Sequence, residues 1–115
     1  MAVVWNTNNT YQRATGGGAL AETLAPGVPF ELMSVRLHLG TTGASAEDFT
    51  VAVDSAIAPA YDVVLLTQGM NTTSDVYWTP DLGGEPFPSG DSIVFAYANS
   101  NGRIWGLEVV YRIVG

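Results

Sequence analysis

The sequence predicts an all-β fold, an antiparallel β-sandwich of about eight strands with jelly-roll topology. Three observations lead to this prediction. Apolar side chains recur at every second position, these positions are rich in Val, Ile and aromatic residues, and turn-forming residues interrupt them at short intervals. This period and composition are typical of strands that bury one side, and such frequent turns are typical of a sandwich or barrel.

The strands follow from this alternation, with Gly, Pro and Asn clusters marking their ends. We expect strands near residues 2–6, 18–24, 30–39, 48–54, 61–67, 75–78, 91–98 and 103–114. In the two clearest of them, the expected buried residues are Met33, Val35, Leu37, Leu39, Phe49, Val51 and Val53. No segment has the hydrophobic pattern of an amphipathic helix over ten residues.

The last two predicted strands are expected to form a hairpin. A three-residue loop over 100–102 with its glycine left-handed pairs Tyr97 with Trp105, whereas a two-residue turn would place Phe95 opposite Glu108. We therefore expect the three-residue loop. The predicted core of these strands is Ile93, Phe95, Tyr97, Trp105, Leu107, Val109, Tyr111 and Ile113.

The chain of 115 residues is of the size of one domain. Residues 18–115 are expected to form the sandwich, and residues 1–17 an N-terminal strand or arm with a flexible loop. This segment is a long first loop of the same domain, or an arm that adds a strand to a neighbouring subunit. Gly16, Gly17 and Gly18 are expected to act as a flexible connector.

Composition excludes several classes of function. Eleven acids against four arginines and no lysine give a net charge of −7, which repels nucleic acid. There are no cysteines, so disulfides, thiolate nucleophiles and cysteine-ligated zinc are excluded. No apolar run is long enough for a membrane span, and residues 1–5 do not have the pattern of a signal peptide.

No catalytic constellation is expected, and neither is a cofactor or a metal. The one histidine, His38, has no Cys, Lys or second His to complete a nucleophilic site. Four acids are close in sequence but stand at turn boundaries, where carboxylates serve turns and edge strands: Asp75, Asp81, Glu85 and Asp91. A calcium loop is the stronger functional alternative for these acids, although the Asp-x-Asp-x-Asp-Gly pattern is absent.

Aromatic residues outside the clear core pattern are the candidates for contact with a partner. Flat rings can stack on sugars or anchor a protein contact, and the structural alternative is that they cap the ends of the core. The candidates are Trp5, Tyr11, Tyr61, Tyr77 and Trp78. Because Tyr77 and Trp78 are adjacent on one strand, they face opposite ways.

Three segments are similar in residue pattern and order to strands of a known group of proteins. Pro29–Leu37 opens a long strand, Gly90–Phe95 enters the penultimate strand, and Trp105–Tyr111 closes the chain. In this layout the chain resembles the small β-sandwich proteins that serve tailed bacteriophages as capsid decoration (cement) proteins or other virion components. The resemblance implies that the protein is made in the host cytoplasm, binds the capsid protein at the capsid surface and associates with copies of itself, as a homotrimer.

Carbohydrate-binding modules share this architecture. The alternative function is therefore a carbohydrate-binding module or receptor-binding tip that uses Tyr77 or Trp78 as a stacking platform. A glycoside hydrolase is a third and weaker alternative.

Overall fold

The computed structural model describes residues 9–81 and 86–114, which form two four-stranded antiparallel sheets. The strands are β1 (Asn9–Gly16), β2 (Leu20–Leu24), β3 (Phe30–Leu39), β4 (Asp48–Asp54), β5 (Val63–Gly69), β6 (Asp75–Trp78), β7 (Ser92–Tyr97) and β8 (Trp105–Ile113). One 3-10 turn, Pro59–Tyr61, precedes β5. No helix in these two ranges has the length and apolar character to cross a membrane.

The expected fold class is confirmed. The strand order is β1-β8-β3-β6 in one sheet and β2-β7-β4-β5 in the other. Successive strands alternate between the sheets except at the β4–β5 connection, and the first and last strands are neighbours, which is the order of an eight-stranded jelly roll. We call the first the β8 sheet and the second the β7 sheet.

Residues 9–16 differ from the expected flexible loop. They form β1, which pairs with β8 over its whole length, from Asn9 opposite Arg112 to Gly16 opposite Trp105. The polar composition of this segment concealed an edge strand, because only one of its faces lies against the core. The predicted strand over 2–6 lies outside the described residues.

The expected hairpin between the last two strands is wrong. β7 and β8 lie in different sheets, and β8 pairs with β1 and β3 instead. The 100–102 segment therefore crosses from one sheet to the other, with Gly102 left-handed at φ +64° as expected. The alternation within each strand was correct although the pairing was not, since a strand buries the same face in either arrangement.

The core lies between the two sheets; its buried members come from β2, β3, β4, β7 and β8 together with Met70, and partly buried side chains of β1, β5 and β6 pack against them. Its members are fully or nearly fully buried: Leu20, Leu24, Phe30, Leu32, Val35, Leu37, Leu39, Phe49, Val51, Val53, Met70, Ile93, Phe95, Tyr97, Trp105, Leu107 and Val109. Tyr111 packs against them half-buried, and Ile113, which was expected in the core, is exposed at the end of β8. Burial of each large apolar side chain contributes roughly 1.5–3 kcal/mol.

A β-bulge at Met33 changes the phase of β3. Leu32 lies opposite Tyr111 and Ser34 opposite Val110, so Met33 is the extra residue. Leu32 and Val35 consequently both face the core, whereas strict alternation would have buried Met33, which is only half-buried. Such a bulge inserts one residue and redirects the side chains on each side of it.

The Gly16–Gly18 connector is held in place rather than free. The Gly18 carbonyl accepts hydrogen bonds from the buried Asn99 side chain and from the Trp105 indole, at 2.8 and 2.9 Å. A Cβ at Gly16 would lie 3.0 Å from the Trp105 ring, which is a tight contact, so any larger residue there would press against this ring. These contacts join the β1–β2 corner to the β7–β8 corner.

The assignment of the core is tested by truncating a buried and an exposed side chain. Leu37→Ala is expected to lower the free energy of unfolding by about 2–5 kcal/mol, because it removes buried contacts and leaves a cavity. Val64→Ala, at a position 60% exposed, is expected to change it by less than about 0.5 kcal/mol. Urea unfolding measures both, and equal losses would contradict the placement of Leu37 in the interior.

Candidate functional site

The outer faces of the two sheets carry different chemistry, although they belong to the same sandwich. One outer face has charged and aromatic side chains that contact one another across the strands, and the other has only small uncharged side chains in its two central rows. Since the inner faces are occupied by the core, these two surfaces are where the described residues present a broad area to a partner.

The outer side of the β8 sheet, which we call the ionic face, is centred on two rows that run across all four strands. The first row is Arg13, Glu108, Arg36 and Tyr77, and the second is Thr15, Gly106, His38 and Asp75. Arg13 Nε donates to Glu108 Oε2 at 2.7 Å, and Arg36 Nη1 donates to Oε1 of the same carboxylate at 3.2 Å. One carboxylate therefore holds two arginines from the strands on either side of it.

Aromatic rings support both arginines of the first row. The Arg13 guanidinium lies 5.3 Å from the centre of the Tyr11 ring, and that of Arg36 lies 5.7 Å from the centre of the Tyr77 ring. Such cation–π contacts are worth about 0.5–1 kcal/mol at exposed sites. Each arginine is thus restrained on one side by an aromatic ring and on the other by Glu108.

The carboxylates of the ionic face are held in their ionised form. The Arg13 hydrogen bond to Glu108, with the charges of Arg13 and Arg36, lowers the pKa of Glu108 below its ordinary value. In the second row, hydrogen bonds with His38 and Ser74 lower the pKa of Asp75. His38 is exposed on β3 and contacts Asp75 through Nδ1.

A shallow groove of 550 Å³ lies on the ionic face. Gly106 is one of the residues that line it, and it has no side chain to fill the second row between Thr15 and His38. The surrounding residues include Arg13, Arg36, His38, Asp75, Tyr77 and Glu108. The groove is therefore bordered by hydrogen-bonding groups and by one exposed aromatic ring.

The outer side of the β7 sheet, which we call the uncharged face, also has two rows across four strands. They are Thr23, Val94, Ala52 and Val64 in one row, and Ala21, Ala96, Thr50 and Thr67 in the other. None of these eight side chains is ionisable. Asp48 and Asp54 stand at the two ends of β4 on the same side, so carboxylates bracket the rows.

The charged side chains of the ionic face contribute nothing to the net charge of the chain. Three arginines and three carboxylates lie on the outer side of the β8 sheet and cancel one another: Arg13, Arg36, Arg112, Glu31, Asp75 and Glu108. The remaining eight acids and one arginine of the sequence account for the −7. Among the described residues, the excess acids therefore lie on the β7 sheet and in loops, and not on the ionic face.

The five aromatic residues considered for contact with a partner differ in position and exposure. Tyr11 and Tyr77 are exposed on the ionic face, at 55% and 68%, and Tyr61 is exposed on the 3-10 turn before β5. Trp78 faces inward and packs against the core, so the open stacking surface on this strand is Tyr77. Trp5 lies outside the described residues.

The acids considered for calcium have separate surroundings. Asp75 contacts His38, and the buried Asp91 accepts a hydrogen bond from the Ala56 backbone N–H at 3.0 Å. Asp81 is exposed, and Glu85 lies outside the described residues. Within residues 9–81 and 86–114, no group of three or more His, Asp or Glu side chains is arranged to hold a metal ion.

The Arg13–Glu108–Arg36 row was not foreseen from the sequence. Alternation predicts Glu108 on the outer side of its strand, but the polar composition around Arg13 predicts a loop, and the predicted hairpin gives β8 the wrong neighbours. The signal for the row was the alternation of Tyr11, Arg13 and Thr15 with smaller or polar residues, which is visible once this segment is assigned to a strand.

No known protein family and no curated protein matches this sequence. Three similar solved structures are the nucleoplasmin-like N-terminal domain of Drosophila FKBP39, the periplasmic g-type lysozyme inhibitor PliG of Aeromonas hydrophila, and tomato aspermy virus. Their identities are 13%, 12% and 6%, with TM-scores of 0.49, 0.38 and 0.38. The alignments cover 97%, 99% and 100% of this chain and 96%, 93% and 83% of the other chains, and they are too distant to carry an argument about function.

The ion pairs of the first row can be tested through the pKa of Glu108. Side-chain NMR titration is expected to find this pKa below its ordinary value, with a larger rise in Arg13→Gln than in Arg36→Gln, because Arg13 makes the shorter hydrogen bond. The lowered pKa in the folded state means that ionised Glu108 adds stability at neutral pH, and that this contribution is lost as the pH falls below about 4.5 and through the lowered value. Urea unfolding at several pH values is expected to show a smaller loss towards acid in Glu108→Gln. A Glu108 pKa that is unchanged in both Arg13→Gln and Arg36→Gln would contradict the paired geometry.

Proposed function

We propose that this chain is a virion structural protein without catalytic activity, a capsid decoration subunit that attaches to a phage head and stabilises it. The uncharged face is the proposed attachment surface. The observation that supports it most is the pair of four-residue rows without an ionisable group in a chain of net charge −7.

The physical reason is the cost of removing groups from water. Charged side chains lose their hydration when a partner covers them, and this cost must be offset by pairing in the complex. Ala and Val side chains carry no such cost, and the hydroxyl group of a Thr side chain costs less to cover than a charged group. A broad partner can therefore cover the uncharged face at little desolvation cost.

The carboxylates at the ends of β4 favour a partner with basic groups around an apolar centre. Asp48 and Asp54 bracket the uncharged face on the same strand, and opposite charges at the rim of an interface increase the rate of association. A second copy of this chain does not match this requirement well. It has no lysine, three of its four arginines are in ion pairs, and Arg103 donates to the Thr42 carbonyl. The proposed partner is therefore the capsid protein.

Copies of the chain are proposed to associate as a homotrimer, with the β5 edge as one contact surface. β5 is an edge strand whose seven residues carry no charge, and Val63 and Val64 are 53% and 60% exposed. Uncharged apolar edge strands pair readily with another strand. In a closed trimer each contact joins two different patches, of which β5 supplies one.

The attachment surface can be tested with particles from which the decoration subunit has been removed. The unaltered protein is expected to rebind such particles and raise their rupture temperature. Val94→Lys, in the centre of the uncharged face, is expected to reduce rebinding by about tenfold or more, because a buried unpaired charge costs more than 1.4 kcal/mol. Co-sedimentation at several protein concentrations measures the affinity.

The matched control for Val94→Lys is Tyr11→Lys, which adds the same charge to the ionic face. It is expected to rebind like the unaltered protein. If Tyr11→Lys loses rebinding and Val94→Lys retains it, the attachment surface is assigned to the wrong face. If the unaltered protein does not rebind any stripped particle, the decoration function itself is wrong.

The oligomeric state can be tested by sedimentation equilibrium and native mass spectrometry. We expect trimers of the 12.1 kDa chain, and we expect Val63→Lys to shift the population towards monomers, because a charge on an edge strand opposes strand pairing. Thr15→Lys, on the ionic face, serves as the control for added charge. A monomeric unaltered protein over the whole concentration range would exclude the trimer.

A further inference from the structure

We propose that the groove over Gly106 on the ionic face is a binding site for a neutral saccharide. This site lies on the opposite side of the sandwich from the proposed attachment surface and is independent of it. The inference begins with the missing side chain. A Cβ built on Gly106 would have no atom within 4 Å, so the groove is open space above the backbone of a central strand.

The polar groups that border the groove are held in fixed positions. Arg13 and Arg36 are each restrained by Glu108 and by a tyrosine ring, and His38 is restrained by Asp75. Arg13 engages Glu108 through Nε and Arg36 through Nη1, which leaves their other N–H groups as donors. Fixed donors and acceptors reduce the entropy that is lost when a ligand binds.

Tyr77 provides the aromatic part of the site. It ends the first row at the β6 edge, borders the groove and is 68% exposed. A ring in this position offers an apolar face to the C–H groups of a sugar, while the neighbouring arginines and carboxylates reach its hydroxyl groups. An aromatic ring beside a row of paired charged groups suits a ligand with both apolar and hydroxyl-bearing sides.

Charge decides between neutral and ionic ligands. The arginines at the groove, Arg13 and Arg36, are balanced by Glu108 and Asp75, so the groove has no excess charge to select an ion when His38 is neutral. The volume of 550 Å³ is within the range of about 300–1,000 Å³ that is usual for small-molecule sites. A neutral oligosaccharide fits these conditions.

The site can be tested by NMR titration of the ¹⁵N-labelled protein with neutral hexasaccharides of glucose, mannose, galactose and N-acetylglucosamine, together with a glycan array for other linkages. At least one neutral saccharide is expected to shift the amide signals of Gly106, Leu37 and Tyr77. Gly106→Val is expected to weaken this binding by about tenfold or more, which corresponds to 1.4 kcal/mol, because its side chain fills the groove. Tyr77→Ala is expected to weaken it as well.

Ala96→Val is the matched control, since it adds methyl groups to the uncharged face, and it is expected to bind like the unaltered protein. The folding of each variant is checked by its amide spectrum and melting temperature, and Tyr77→Ala keeps the proposal testable if Gly106→Val fails to fold. The absence of binding to every neutral saccharide would overturn the proposal. So would unchanged binding in both Gly106→Val and Tyr77→Ala, or a consistent preference for acidic saccharides. None of these results bears on rebinding to capsids, which is measured separately.

Discussion

Burial of one face of every strand between two sheets is the constraint on which the rest of this structure depends. The inner faces supply large apolar side chains from all parts of the chain, and β8 lies in the middle of its sheet, paired with both β1 and β3. Because successive side chains alternate across a strand, a residue that contributes to the core fixes the direction of both neighbours. The outer faces are therefore rigid surfaces whose composition can vary without loss of the core.

The difference between the two outer faces follows from what cross-strand neighbours require. Side chains directly opposite one another lie about 4.5–5.5 Å apart, so like charges destabilise a pair and opposite charges stabilise it. In the β8 sheet, opposite charges are neighbours: Glu108 lies between Arg13 and Arg36, and Glu31 pairs with Arg112 at 2.5 Å. In the β7 sheet, repulsion between like charges is avoided because the two central rows contain no charged side chain. The first arrangement creates positioned polar groups, and the second creates a surface that is readily desolvated.

The edge strands of the sandwich differ in length, charge and hydrogen bonding. Between the edge strands β1 and β2, Gln12 donates to the Thr23 carbonyl at 3.0 Å, and Glu22 is half-buried on the inner side of β2, where a charge discourages pairing with another chain. β6 is only four residues long and carries Asp75. β5 combines greater length with an uncharged sequence, which is why self-association is assigned to this edge. Attachment, self-association and ligand binding are thus proposed for different parts of one rigid body, and Val64 of β5 lies where the uncharged face meets the self-association edge.

Much of this arrangement follows from short-range pattern. The bounds of β3, β4 and β6 agree with the predicted strands, and the buried face of β4 is Phe49, Val51 and Val53 as expected. The same alternation predicts the inward residues of β7 and β8, although the predicted pairing of these two strands is wrong. Period-two alternation can be read from one strand alone, since it depends on which side meets the core and not on which strand lies beside it.

What the sequence could not supply was the partner of each strand. A hairpin was the simplest continuation after β7, but the chain crosses to the other sheet, and the polar segment 9–16 is a strand only because β8 offers its edge. The Arg13–Glu108–Arg36 row and the groove over Gly106 depend on that pairing, since their residues come from four strands far apart in the chain. The sequence by itself determined the strands and their buried sides, because these are local properties of side-chain alternation. The tertiary structure alone decided which outer side chains meet, because register between distant strands is set by the packing of the whole core.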